Sequence, residues 1–182
     1  MDFEATAIQG VVILKPKMYE DERGFFMETF RAEYFNPPGI TAKFVQDNHS
    51  GSAQGVLRGL HYQIQRPQGK LVRVVSGEVF DVAVDLRKSC DTFGKWVGAT
   101  LTAENKHQLW IPPGFAHGFY VLSEWADLLY KVTEYYTPEW DRVLRWDDPE
   151  IGIEWPLFGG ASPRLSTKDA HGNSLAKAEL FD

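Results

Sequence analysis

The stretch GVLRGLHYQIQRPQGKLVRVVSG, residues 55–77, decides how the chain is read. Two apolar runs flank a Pro-Gln-Gly turn. Each holds charge where a buried strand normally has none: Arg58 and His61 in the first, Lys70 and Arg73 in the second. Unpaired charges are costly among apolar neighbours, so these residues, with Asp81 in the next run, read as the lining of a pocket. Strict alternation sets Arg58 and His61 on opposite faces of their strand. Gly59 lies between them and can host a bulge that restores a common face, so a break in the ladder is predicted at Arg58–Gly59.

Outward from this stretch, short runs rich in Val, Ile, Phe, Tyr and Trp alternate with Gly, Pro, Asn and Asp. Strands are predicted over 11–15, 24–30, 42–47, 56–64, 70–76, 78–86, 96–102, 108–111, 117–123, 127–136 and 142–146. Many short strands with regular turn signals point to a sandwich or barrel. Helix is confined to Ala32–Phe35 and a piece near Ser174–Leu180. From about residue 157 the strand pattern gives way to Gly, Pro, Ser and charge, read as a C-terminal arm of one domain spanning 1–182.

Composition narrows the function. The 182 residues are 43% hydrophobic, 24% charged and 14% aromatic, with a net charge of −6. That is globular composition, and it lacks the basic face of a general nucleic-acid binder. Cys90 is the only cysteine, so no intrachain disulfide forms. No stretch approaches the roughly 20 apolar residues of a membrane span, and the N-terminus does not read as a signal peptide. A cytoplasmic protein with no membrane and no nucleic-acid partner is the expectation.

The spacing resembles the cupin type of double-stranded barrel, an all-β jelly roll with short peripheral helices. Its first metal motif is G-x5-H-x-H-x(3,4)-E-x6-G. Here Gly55-x5-His61 and Lys70-x6-Gly77 keep the frame, but Gln63 replaces the second histidine and Lys70 stands in the carboxylate's place. In the second motif Pro112, Gly114 and His117 remain, while Val121 replaces the asparagine. Two histidines rarely hold a catalytic metal. No metal and no cofactor are expected. An ammonium at position 70 can instead stabilise an oxyanion, and a histidine without metal is free to act as a base.

Read in full, the chain resembles the dTDP-4-dehydrorhamnose 3,5-epimerase family over roughly residues 5–170. The match is carried by DERGFFMETF (21–30), QDNHS (46–50), GVLRGLHYQ (55–63), PQGKLVRVVSGEVFDVAVDLR (67–87), LWIPPGFAHGFYVLSE (109–124), LYKVTEYYTPEWDR (129–142), RWDDPEIGIEWP (145–156) and LSTKD (165–169). The resemblance implies a metal-free isomerase that removes and returns protons at C3 and C5 of dTDP-4-dehydro-6-deoxy-glucose, on the route to L-rhamnose. It implies His61 as base, Asp169 as its hydrogen-bond partner, Lys70 as holder of the enolate oxygen and Tyr130 as the opposing acid. Arg23, Arg58, His117 and Lys168 are implied at the diphosphate and sugar. Glu28, Gln46, Asp47 and Asn48 are implied at the nucleotide end, with Asp141 at the substrate and Tyr136 and Phe26 as lining. Asp141 stands where the family commonly has Glu, and Trp140 replaces a smaller residue or His. The family also implies a homodimer in which N-terminal strands cross over, so that Arg23 and Glu28 serve the neighbour's site. Open alternatives are a mono-epimerase or ketoisomerase of the same fold, a metal-dependent cupin oxygenase, and a non-catalytic sugar-nucleotide binder.

Overall fold

Alternation along the strands sorts them into two facing sheets. A computed structural model of the chain describes residues 1–35 and 42–182. The six-stranded sheet runs β1 (Asp2–Ala5), β2 (Val12–Lys15), β10 (Gln108–Ile111), β7 (Lys70–Ser76), β12 (Trp125–Val132), β5 (Gln46–Ala53). The five-stranded sheet runs β13 (Asp141–Val143), β6 (Leu57–Gln63), β11 (Phe115–Val121), β8 (Glu78–Asp85), β9 (Trp96–Thr102). Strands β3 (Met18–Asp21) and β4 (Gly24–Met27) form a separate, largely exposed hairpin. All these pairs are antiparallel, and the architecture is the all-β jelly roll of cupins.

Between the sheets, Val72, Val74 and Leu128 meet Val79, Ala83, Phe119 and Val121. Each fully buried valine or leucine among them contributes roughly 1.5–3 kcal/mol. The outer face of the five-stranded sheet is also covered. There Leu60, Tyr62, Val82 and Val84 pack with Leu144, Leu175 and Phe181. The segment after residue 157 therefore lies along the barrel, tied at Val56–Arg164, Leu144–Asn173 and Arg87–Phe181.

The predicted break at Gly59 is present. His117 pairs with His61 and Phe119 with Arg58, so β6 uses one more residue than β11 between the two pairs. Leu60 and Tyr62 then face outward, while His61 looks into the barrel. Arg58 reaches across to β5, where its Nε donates to Ser52 Oγ (2.9 Å). The extra residue must be small. Gly59 has φ +130°, and a Cβ there would lie 2.5 Å from Gly118 Cα and 2.9 Å from the His117 carbonyl oxygen.

Three expectations need correction. The strand placed at 42–47 is Gln46–Ala53. Its QDNHSGSA sequence has low strand propensity, but β12 pairs with its whole length and tertiary pairing overrides propensity. Strands β1 and β3 were not foreseen. Nor was the one-turn helix α1 (Thr167–Ala170), whose signal is a Ser166 cap rather than a periodic pattern. The short turns at Ala32–Phe35 and Leu175–Lys177 fall within the predicted helical pieces.

Gly59→Ala is expected to cost roughly 2–4 kcal/mol in urea unfolding, because dihedral and steric penalties coincide there. Gly24→Ala, at φ +119° with open space around it, is expected to cost only about 1 kcal/mol.

Candidate active site

One end of the barrel interior opens as a cavity lined by residues of both sheets. From the five-stranded sheet come His61, Gln63 and Asp141; from the six-stranded sheet come Gln46, Asn48, Lys70 and Tyr130. Inward positions recur every second residue, which explains Gln46 and Asn48 on β5 and their neighbour Tyr130, opposite Asn48, on β12. Gln68 and Tyr136, from the connections after β6 and β12, complete the wall.

His61 Nε2 donates to Asp169 Oδ1 at 2.5 Å, with the histidine side chain 35% exposed and the aspartate 4%. The second carboxylate oxygen accepts from Ser166 Oγ at 2.7 Å. Burial acts to raise the pKa of Asp169, but the hydrogen bonds from His61 and Ser166 and from the Gly59 N–H outweigh it, and the carboxyl stays below its ordinary range. This is the arrangement in which a carboxylate fixes the tautomer and orientation of an imidazole.

Lys70 is buried, and its Nζ donates to the His61 carbonyl at 3.2 Å. Burial lowers its pKa to about 8, opposed by the charges of Asp81 and Asp141. The side chain is therefore mostly cationic at neutral pH. Tyr130 is driven the other way. Burial raises its phenol pKa, helped by Asp141 and opposed by Arg58, so it holds its proton at neutral pH. A proton acceptor on one sheet and a proton donor on the other thus line one cavity, with a cation beside them.

A second histidine–carboxylate pair lies behind the cavity. His117 Nε2 donates to both oxygens of Asp81 at 3.0 Å, and the pair is buried. Burial lowers the pKa of His117 against the pull of Asp81, and the nearby Lys70 and His61 lower it further. His61 and His117 face each other in register, but each commits Nε2 to its own carboxylate, and the Lys70 ammonium lies close by. That set of donors does not suit a dication. Among the described residues no group of three or more His, Cys, Asp or Glu side chains is placed to hold a metal ion.

Comparison with known proteins gives the same direction. The family profile described as dTDP-4-dehydrorhamnose 3,5-epimerase matches residues 5–177. The chain belongs to this family. A dTDP-4-dehydrorhamnose 3,5-epimerase of Neisseria gonorrhoeae is 59% identical over 98% of the chain, which spans 54% of that protein's length. One from Pseudomonas aeruginosa is 56% identical over 96% of both chains. The dTDP-6-deoxy-D-glucose-3,5-epimerase of Legionella pneumophila, solved in complex with dTDP-4-keto-L-rhamnose, superposes with a TM-score of 0.94. It is 53% identical and the match covers 99% of this chain and 97% of that one.

Within this epimerase-family fold the predicted site residues separate into groups. His61, Asp169, Lys70, Tyr130, Gln46, Asn48 and Asp141 gather at the cavity, Asp169 through His61. Lys168 stands at its rim, paired with Asp141, which also accepts from Tyr136 (2.8 Å). Arg58 lies beside Tyr130, and His117 sits behind the wall. Four of the expected residues lie away from this cavity. Arg23 is on the β3–β4 hairpin, paired with Asp21, and Glu28 pairs with Arg31 just beyond it. Asp47 alternates to the outer face of its sheet and pairs with Lys131 (2.9 Å). Phe26 is on the same hairpin and 70% exposed. Trp140 does not line the cavity; its ring lies under the Arg66 guanidinium. Gln68 and Ser166 were not foreseen. The Ser-x-x-Asp spacing, a variant of the capping box, was the available signal for Ser166.

Because Lys70 gives up its proton more easily folded than unfolded, its charged form opposes folding. Its contribution is therefore least favourable below about pH 8 and improves by up to roughly 3 kcal/mol as pH rises toward 10.5. Urea unfolding is expected to show the stability of the native protein rising relative to Lys70→Met across that interval. A difference that is flat with pH would mean that Lys70 has no depressed pKa.

Proposed function

We propose that the chain is a dTDP-4-dehydrorhamnose 3,5-epimerase that acts on dTDP-4-dehydro-6-deoxy-glucose without a metal. The observation that carries the reading is the placement of the His61–Asp169 pair and the Tyr130 phenol on opposite sheets of one cavity, with Lys70 beside them. The family membership supports the choice of substrate.

Neutral His61 takes the proton from the carbon next to the C4 ketone, and the electron pair moves onto the ketone oxygen. Asp169 stabilises the imidazolium that forms. Lys70 holds the enolate oxygen, an interaction stronger in the transition state than in the bound ketone. Tyr130 then protonates the carbon from the opposite face, inverting it. Solvent removes the proton from His61 and returns one to Tyr130, so the pair is reset for the second carbon. Arg58 would contact the diphosphate, with Lys168 and Asp141 toward the sugar and Gln46 and Asn48 toward the nucleotide. His117 would support the anionic end from behind the wall.

Arg23 and Glu28 act, on this reading, in a homodimer with crossed N-terminal strands, where those of one subunit complete the other's site. The cytoplasm is the proposed location. No helix among the described residues is long and apolar enough to cross a membrane. The whole chain acts as one epimerase domain, with residues from about 157 contributing Asp169 and Lys168 as an arm.

The test is proton NMR of the substrate with purified protein in D2O containing EDTA. Deuterium at both C3 and C5 is expected. Exchange at one carbon would make the protein a mono-epimerase, and dTDP binding without exchange would make it a binder only. His61→Ala is expected to remove exchange at both carbons, a loss of at least about 10²-fold, while dTDP still binds. Tyr130→Phe is expected to keep exchange and impair inversion. On the basic side, kcat/KM is expected to fall above about pH 8 as Lys70 loses its proton.

A further inference from the structure

The His61–Asp169 pair depends on a carboxylate that belongs to a single turn of helix. Helix α1 has four residues, and one turn has little stability of its own. The chain on either side is anchored. Leu57 N donates to Arg164 O (3.0 Å) before it, and Asn173 N donates to Val143 O (2.9 Å) after it. Between these anchors, Asp169 is the buried side chain of α1. What holds its carboxylate plane is therefore a local question.

Ser166 answers it twice. Its hydroxyl donates to Asp169 Oδ2 (2.7 Å) and accepts from the Asp169 backbone N–H (3.1 Å). One hydroxyl thus grips both the carboxylate and the backbone that carries it. Oδ1 is taken by His61, so each carboxylate oxygen has its own donor. Rotation of the carboxylate out of the imidazole plane breaks one bond or the other. We propose that Ser166 is a positioning residue of the proton-transfer site, holding Asp169 in the orientation that aims His61 into the cavity. The role rests on the epimerase reading for its catalytic consequence, but not for the geometry itself.

Ser166 is exposed at the surface, so its removal opens no internal void. Solvent water can replace the lost donor at Oδ2. It cannot replace the fixed direction, because it has no covalent tether to the helix cap. The two parts of the role, capping α1 and aligning Asp169, are therefore separable by experiment.

The experiment uses the full chain with Ser166→Ala and Ser166→Thr. The first readout is the low-field proton resonance of the His61 ring N–H in the ligand-free protein. The second is the split between kcat and KM with the dTDP-sugar substrate. For Ser166→Ala the resonance is expected to broaden or move upfield. Its kcat is expected to fall by about 10- to 100-fold, the usual cost of losing an outer hydrogen-bond partner of a functional side chain. KM should stay within about twofold, since ground-state binding is untouched. Ser166→Thr, which keeps the hydroxyl, should restore most of both. A normal resonance and normal kcat in Ser166→Ala would overturn the proposal, including when only the melting temperature falls, because that would leave Ser166 as a helix cap alone. Equal damage in Ala and Thr would overturn it as well. If the native protein gave no deuterium exchange, the epimerase reading would fail while the resonance still judged the hold on Asp169.

Discussion

One extra residue in β6 is the constraint on which the rest of the site depends. Two strands cannot put an arginine and a histidine three positions apart on the same face unless the ladder is interrupted. The interruption works because two glycines meet. Gly59 has no Cβ to drive into Gly118, and Gly118 has none to drive into the Arg58 carbonyl, 2.7 Å from where that atom would be. The close approach turns His61 into the barrel while Leu60 and Tyr62 keep packing on the outside. The backbone N–H of Gly59 also helps keep the Asp169 carboxyl below its ordinary range.

The interior that receives His61 is built around opposed charges in a dry place. Lys70, Asp81 and His117 are all buried; the charge of Asp81 acts on both Lys70 and His117, and Lys70 acts on His117. Burial lowers the pKa of Lys70 to about 8 against the opposing charges of Asp81 and Asp141, so the side chain stays mostly charged at neutral pH. Burial likewise holds His117 neutral and Tyr130 protonated. The cavity therefore carries a cation, an intact phenol and a carboxylate-backed imidazole at once. Low dielectric makes each of these groups act more strongly on a developing charge than it would in water.

The fold was largely legible because its signal is local. Runs such as KLVRVVS and EVFDVAVD alternate cleanly, and their turn is marked by Gly77. Strand β5 was misplaced because its inward residues are Gln46, Asn48, Ser50 and Ser52, polar where a strand face is expected to be apolar. Those polar residues make sense only once the cavity and Arg58 are seen opposite them. The cluster of Arg58, His61, Lys70 and Asp81 was readable from the cost of charge in apolar runs. Arg73, in the same stretch, alternates to the outer face, where it lies with Leu71 and Gln108.

By itself the sequence determined the all-β class, the dismantled metal motif, the bulge at Gly59 and the residue types of an acid–base site. These follow from spacing, from backbone permissiveness and from chemistry carried by single side chains. Only the tertiary structure decided which residues meet. Asp169 is 108 positions from His61 and reaches it because the C-terminal segment folds back along β6 and β13. Ser166 gained its role by that same return. His117 drew back behind the wall because Asp81 bound it there, and Asp47 left the cavity by alternation alone. Contacts between distant segments are set by how two sheets close over a shared core, and no local pattern encodes that closure.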